Sequence, residues 1–142
     1  MTDYVLGFLF AGHEVLLICK QRPAFQKGLW NGVGGKIERG ETPAEAMRRE
    51  FAEEVAGFAE QPNWQQFAVM SDPDVVEGTT DTIHVFRAYG SRFHPIALTD
   101  EPLTWFHLRM DLHPDTPMLE STRFLIPMAN QSSVSALISF AP

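Results

Sequence analysis

A formal charge of −7 over 142 residues describes a chain long enough to bury a core as one domain, 1–142. It is too acidic to hold a nucleic-acid backbone by charge. No apolar run approaches the ~20 residues of a membrane-spanning helix, and the start Met-Thr-Asp-Tyr lacks the basic stretch of a secretory signal. The single cysteine, Cys19, excludes an internal disulfide, fits a reducing cytoplasm, and reads as a structural thiol in the run Val15–Cys19.

In chain order, Val5–Phe10 and Val15–Lys20 are short apolar runs joined by Ala11-Gly-His-Glu14, the pattern of a β-hairpin opening a mixed sheet. A loop is expected over residues 21–35, rich in Gly and Gln and carrying Phe25 and Trp30. Thr42 then has the position of a helix N-cap, with Pro43 first in the helix and Glu45 completing a capping box. Met47, Phe51 and Val55 follow at helical spacing as an apolar stripe, and Gly57 marks the expected stop. Strands are predicted at Trp64–Met70, Thr82–Tyr89 and Leu103–Leu108, with polar loops at 71–81 and 91–102 between them. A second helix is expected near Met118–Asn130, bent or bounded by Pro127, and the tail Val134–Phe140 suits a strand or a short helix. The sum is an α+β fold with one central helix carrying the chemistry.

That helix holds Glu50, Glu53 and Glu54, which fall within about 100° of arc because an α-helix turns every 3.6 residues. Three carboxylates so placed repel each other, and a hard divalent cation with oxygen ligands turns the repulsion into attraction. Arg49 is placed to orient one carboxylate and keep it ionised. Ala46 lies near the same arc, where a small side chain leaves room for a ligand. Gly32, Gly34 and Gly35 allow close backbone approach, so a peptide carbonyl can also reach a cation. The five histidines, His13, His84, His94, His107 and His113, show no ligand-like spacing.

The pattern Gly35-x5-Glu41-x7-Arg49-Glu50-Phe51-x-Glu53-Glu54 resembles the signature box of the Nudix hydrolases, matching it at every charged position. It departs at the end, where Ala56 and Gly57 stand in place of a glycine and an aliphatic residue. The resemblance implies an α/β/α sandwich with a central mixed sheet, and hydrolysis of nucleoside diphosphate linkages with Mg²⁺, for which Mn²⁺ can substitute. It implies Glu50, Glu53 and Glu54 as metal ligands, with the Gly34 carbonyl as a further one. Glu53 is the first choice for general base, with Glu50 close behind. Glu41 supports the loop and helix start. A further acidic residue is expected from the loop before Trp105, where Asp100 and Glu101 are both available. Lys36 is a candidate phosphate contact, and a homodimer is compatible with the family.

Trp30-Asn31-Gly32-Val33-Gly34-Gly35-Lys36 is similar to a segment of the oxidised-purine nucleoside triphosphatases, with valine replacing an aromatic residue. By that resemblance Asn31 reads the base and Phe25 packs on it, although the tryptophan and acidic pair of those enzymes have no counterpart near Leu119. The expected activity is conversion of a nucleoside triphosphate to monophosphate and pyrophosphate, with oxidised purines such as 8-oxo-dGTP among the candidate substrates. The alternatives are cleavage of ADP-ribose or another nucleoside diphosphate derivative, towards which Pro73 points weakly, and nucleotide binding without turnover.

Overall fold

The computed structural model describes residues 3–71, 82–131 and 136–139. Pro73 and most of the 71–81 loop lie outside the described residues. The first hairpin forms as expected: β1 (Asp3–Ala11) and β2 (Glu14–Cys19) pair antiparallel through Leu9↔Leu16, Phe10↔Val15 and Ala11↔Glu14. Their apolar residues are continuous rather than alternating because both faces of the sheet are covered. On β1, Val5 and Leu9 point into a core with Met47 and Phe51 of the central helix. Leu6, Phe8 and Phe10 point the other way, towards Leu125, Ile126 and Ala129. The two-residue period of the strand thus feeds two cores at once, and the expected three-layer sandwich around a mixed sheet follows.

Residues 21–35, expected to be loop, contain a single 3-10 turn at Ala24–Gln26 and two short strands, β3 (Trp30–Asn31) and β4 (Val33–Lys36). Glycine-rich stretches score poorly as strands, yet here close packing demands them. Beyond the Leu9–Leu16 pair, β1 and β2 take different partners. β4 pairs with the first half of β1 (Tyr4↔Lys36 to Gly7↔Val33), and β3 pairs with the end of β2. The peptide between β3 and β4 therefore enters a fork between the two hairpin strands.

The central helix, α1 (Pro43–Glu54), has its capping box: Thr42 Oγ1 accepts from the Glu45 N–H at 3.1 Å, and Glu45 Oε1 accepts from the Thr42 N–H at 3.0 Å. Its stop is not at Gly57. The helix ends at Glu54, and β5 (Val55–Ala56) pairs with β8 (Ile96–Ala97), a strand hidden in the predicted 91–102 loop. Val55 is buried and β-branched, which favours this extended backbone. Gly57 serves a different purpose, adopting φ +103 where a Cβ would strike the His94 carbonyl oxygen.

β6 (Gln65–Ser71), β7 (Thr82–Tyr89) and β9 (Leu103–His107) match the remaining predicted strands to within a residue or two. β7 lies parallel to β1 over its whole length, and β9 pairs with β2. α2 (Glu120–Ala129) keeps Pro127 in its last turn, and β10 (Ala136–Ser139) settles the tail as a strand parallel to β6. Among the described residues no helix is long and apolar enough to cross a membrane.

Candidate active site

α1 lies against β4, and this contact assembles the acidic site. The three glutamates do not share one environment. Glu50 is mostly buried against Gly35, whose missing side chain makes the space: a Cβ there would collide with the Glu50 carboxylate. Glu54 points inward as well, and its Oε2 is sealed from solvent with no hydrogen-bond partner. Glu53 stands outward, its side chain 56% exposed. Ala46, expected to leave room for a ligand, is instead fully buried in the core between helix and sheet. Its small size serves the close approach of α1 to the strands.

Arg49 gathers the charges on the outer side. Its Nε and Nη2 donate to Glu41 at 2.6 and 2.9 Å, Nη1 donates to Glu50 at 3.0 Å and Glu53 at 3.2 Å, and Nη2 also reaches the Lys36 carbonyl at 2.9 Å. The i,i+4 partner Glu53, foremost in the sequence, is thus one of four, and Glu41 is the principal one. The Arg49 guanidinium holds the Glu41 carboxyl below its ordinary range, helped by the Glu38 N–H. Arg49 itself is held more firmly protonated, chiefly by Glu41.

Burial dominates on the inner side. It raises Glu50, against the opposing hydrogen bond and charge of Arg49. It pushes Glu54 up to about 8, with Lys20 opposing the rise, Glu50 and Glu101 adding to it, and a backbone bond from Gly34 opposing it again. Two buried carboxyls side by side, one with an oxygen that no donor meets, are costly unless a cation arrives.

Of the two acidic candidates before Trp105, the structure brings only Glu101 inward. Glu101 is 4% exposed, accepts from the Gln21 N–H at 2.6 Å and lies 3.5 Å from Lys20 Nζ. Asp100 faces solvent and pairs with Arg22 at 2.7 and 3.1 Å. As the side chains stand, no three His, Cys, Asp or Glu groups among the described residues enclose a cation. Even so, the orphaned Glu54 oxygen, the buried Glu50 and Glu101, and the cleft kept open by Gly35 suit a hard divalent cation. Lys20 went unnoticed in the sequence because a lysine ending a strand is usually a surface residue.

The fork between β1 and β2 holds a cavity of about 130 Å³, lined in part by Tyr4, Leu6, Lys20, Gln26, Asn31 and Gly34. It is smaller than the ~300–1,000 Å³ of pockets for whole drug-sized ligands, and suits one ring system. Asn31 is 4% exposed, and its Oδ1 accepts from the Gly32 N–H at 2.8 Å and from Thr122 Oγ1 at 2.7 Å. Phe25 does not join this wall. Its ring is 42% exposed, and Pro23 and Gln26 from the same turn line the cavity instead. Lys36 is exposed at the end of β4. Larger hollows of 590, 500 and 320 Å³ lie elsewhere, whereas the fork cavity is walled by Gly34 and Gly35, the strand residues against which Glu54 and Glu50 are set.

Comparison with known proteins places the fold and the family. The oxidized purine nucleoside triphosphate hydrolase of Mus musculus is 30% identical over 120 residues, 79% of this chain and 72% of its own length. The Danio rerio protein of the same name is 32% identical over 99 residues; they make up 67% of this chain and 59% of that protein, so the chain spans less than two thirds of it. Among solved structures, a bifunctional NMN adenylyltransferase/ADP ribose pyrophosphatase from Francisella tularensis, complexed with AMP and a Mn ion, superposes with a TM-score of 0.74. At 22% identity over 89% of this chain and 40% of that one, the likeness is one of fold. The NUDIX domain profile matches residues 2–116, most of the chain, from the first strand to beyond Trp105, and the chain belongs to the NUDIX family.

Proposed function

We propose that this chain hydrolyses nucleoside triphosphates to monophosphate and pyrophosphate with a divalent cation, Mg²⁺ or Mn²⁺, in a cytoplasmic setting. The observation that carries the reading is the sealed, partnerless Oε2 of Glu54, set among Glu50, Glu101 and Lys20. Glu50, Glu54 and Glu101 would hold the cation. Bound there, it would supply charge neutralisation at the phosphates and acidify an attacking water.

The remaining work falls to the chain itself. Glu53, exposed to solvent and steadied by Arg49, takes the proton of the attacking water. Lys36, at the open end of β4, contacts the phosphate tail. Asn31 faces the base in the fork cavity. The relatives named for oxidized purine nucleoside triphosphates support a purine, including oxidised ones, ahead of ADP-ribose; the solved structure named for ADP-ribose supports the fold alone.

The test is a panel of nucleoside triphosphates and ADP-ribose incubated with Mg²⁺, products separated by chromatography. Pyrophosphate and a nucleoside monophosphate are expected. Cleavage confined to ADP-ribose, into two monophosphate-bearing pieces, would replace the substrate. Binding without any metal-dependent product would remove the enzyme reading.

A further inference from the structure

Thr122 is fully buried on α2, outside the acidic machinery, yet its hydroxyl ends on Asn31, the proposed base reader. The orientation of the Asn31 amide is fixed by chemistry. The Gly32 peptide N–H, 2.8 Å away, can only donate, so the atom facing it is the carbonyl oxygen. That oxygen has two lone pairs. The Gly32 N–H engages one and the Thr122 hydroxyl, at 2.7 Å, engages the other. The Nδ2 group, by contrast, has no protein partner among the described residues. It is not sealed either, since among the described residues the sealed partnerless side-chain atoms are Glu54 Oε2 and Ser121 Oγ. The fork cavity therefore meets Asn31 as a pair of N–H donors and no acceptor.

We infer that Thr122 makes Asn31 a donor-only reader, so that the cavity selects bases with a keto, guanine-type edge over adenine. An asparagine recognises adenine by accepting from the N6 amino group while donating to N7, which requires a free carbonyl oxygen. A guanine-type edge offers the O6 carbonyl, an acceptor in the oxidised and unoxidised base alike, joined in guanine itself by N7, and that carbonyl asks only for donors. Thr122 touches no substrate in this scheme; it is a positioning residue acting through Asn31. The inference rests on the proposed role of the cavity as the base site. It goes further in naming the base class and the residue that sets it.

The experiment is calorimetric titration of GMP and AMP, which share sugar and phosphate, into the wild type, Thr122→Val, Thr122→Ser and Asn31→Ala. The wild type is expected to prefer GMP by roughly tenfold or more, the size of one good base-edge pairing. Thr122→Val keeps the volume and deletes the hydroxyl, which frees the second lone pair of Asn31 Oδ1 to accept while the Gly32 N–H still holds the amide's orientation, so the preference should shrink at least threefold, mainly through tighter AMP. Thr122→Ala deletes the same hydroxyl and serves where valine does not pack. Thr122→Ser should keep the wild-type ratio. A wild type that binds AMP as well as GMP, or a Thr122→Val ratio equal to the wild type's, overturns the inference. If Asn31→Ala still weakens GMP in that case, the base site itself stands. If Asn31→Ala changes neither nucleotide, the base site falls together with the inference.

Discussion

Glu41 and Arg49 are joined by two hydrogen bonds, 2.6 Å from Nε and 2.9 Å from Nη2, across the turn that leads into α1. The geometry is the fork that a guanidinium makes and an ammonium cannot. Both side chains are largely shielded, so the pair is stronger than a surface salt bridge. Arg49→Lys should therefore lower stability by about 1–2 kcal/mol in urea denaturation. It should also lower kcat more than it raises KM, because Glu50 and Glu53 lose their anchor. An unchanged kcat would show that the carboxylates hold themselves in place.

Burial of Glu54 links proton, cation and stability. Its folded value of about 8 lies above the ordinary 4.5, so the folded chain keeps a proton that the unfolded chain has released. Without metal, the contribution of Glu54 to stability is full below about 4.5, falls as pH rises towards about 8 and levels off beyond, a loss on the order of a few kcal/mol. A cation competes with that proton, so affinity should climb over the same window. Thermal melts with and without Mg²⁺ should show a larger rise in Tm near pH 9 than near pH 6. Glu54→Gln should abolish the difference; equal Mg²⁺ shifts at both pH values in the wild type would remove Glu54 from the cation site.

The two adjacent glycines of β4 should fail in different ways. A Cβ on Gly34 would strike the Val5 carbonyl oxygen, which belongs to the backbone of β1. Gly34→Ala should cost more than about 2 kcal/mol as the strands are pushed apart. The atoms nearest a Cβ on Gly35 all belong to the movable end of Glu50. Gly35→Ala should stay within about 1 kcal/mol of wild type and still lose most activity. Parallel denaturation curves and steady-state assays separate the two outcomes.

Asp100 and Glu101 are neighbours in sequence with opposite prospects. The Asp100–Arg22 pair is open to solvent on both sides, so Asp100→Ala should leave activity intact and alter stability by less than about 0.5 kcal/mol. Glu101→Gln should lower kcat/KM at least about tenfold, because Glu101 lies beside Lys20 and within the field of Glu54. Isothermal titration of Mn²⁺ into Glu101→Gln should show weakened binding; retained affinity would leave Glu101 a purely structural group.

Short-range chemistry was the legible part of the sequence. Thr42, Pro43 and Glu45 start α1 where their local hydrogen bonds dictate, and the period of the apolar runs locates the long strands. The α1 stop differs from the expected one because Gly57 carries a turn signal, whereas Val55 is drawn into pairing with Ile96–Ala97, a partner some 40 residues away. Ala46 lies in the core and not at a ligand, a difference that arises because helix spacing gives the angle of a side chain and not what packs on it. The choice between Asp100 and Glu101, and the presence of Lys20 and Thr122 beside the site, rest on long-range contacts for which no local pattern exists.

The sheet lies between the two helices that serve the site, with Glu50 and Glu54 arriving from α1 on one face and Thr122 from α2 on the other. On the proposed reading, bond breaking and base choice fall to separately replaceable parts of the protein. A lineage carrying this fold can exchange residues along α2, and drift from one nucleotide to another, while the hydrolytic apparatus on α1 is inherited unaltered.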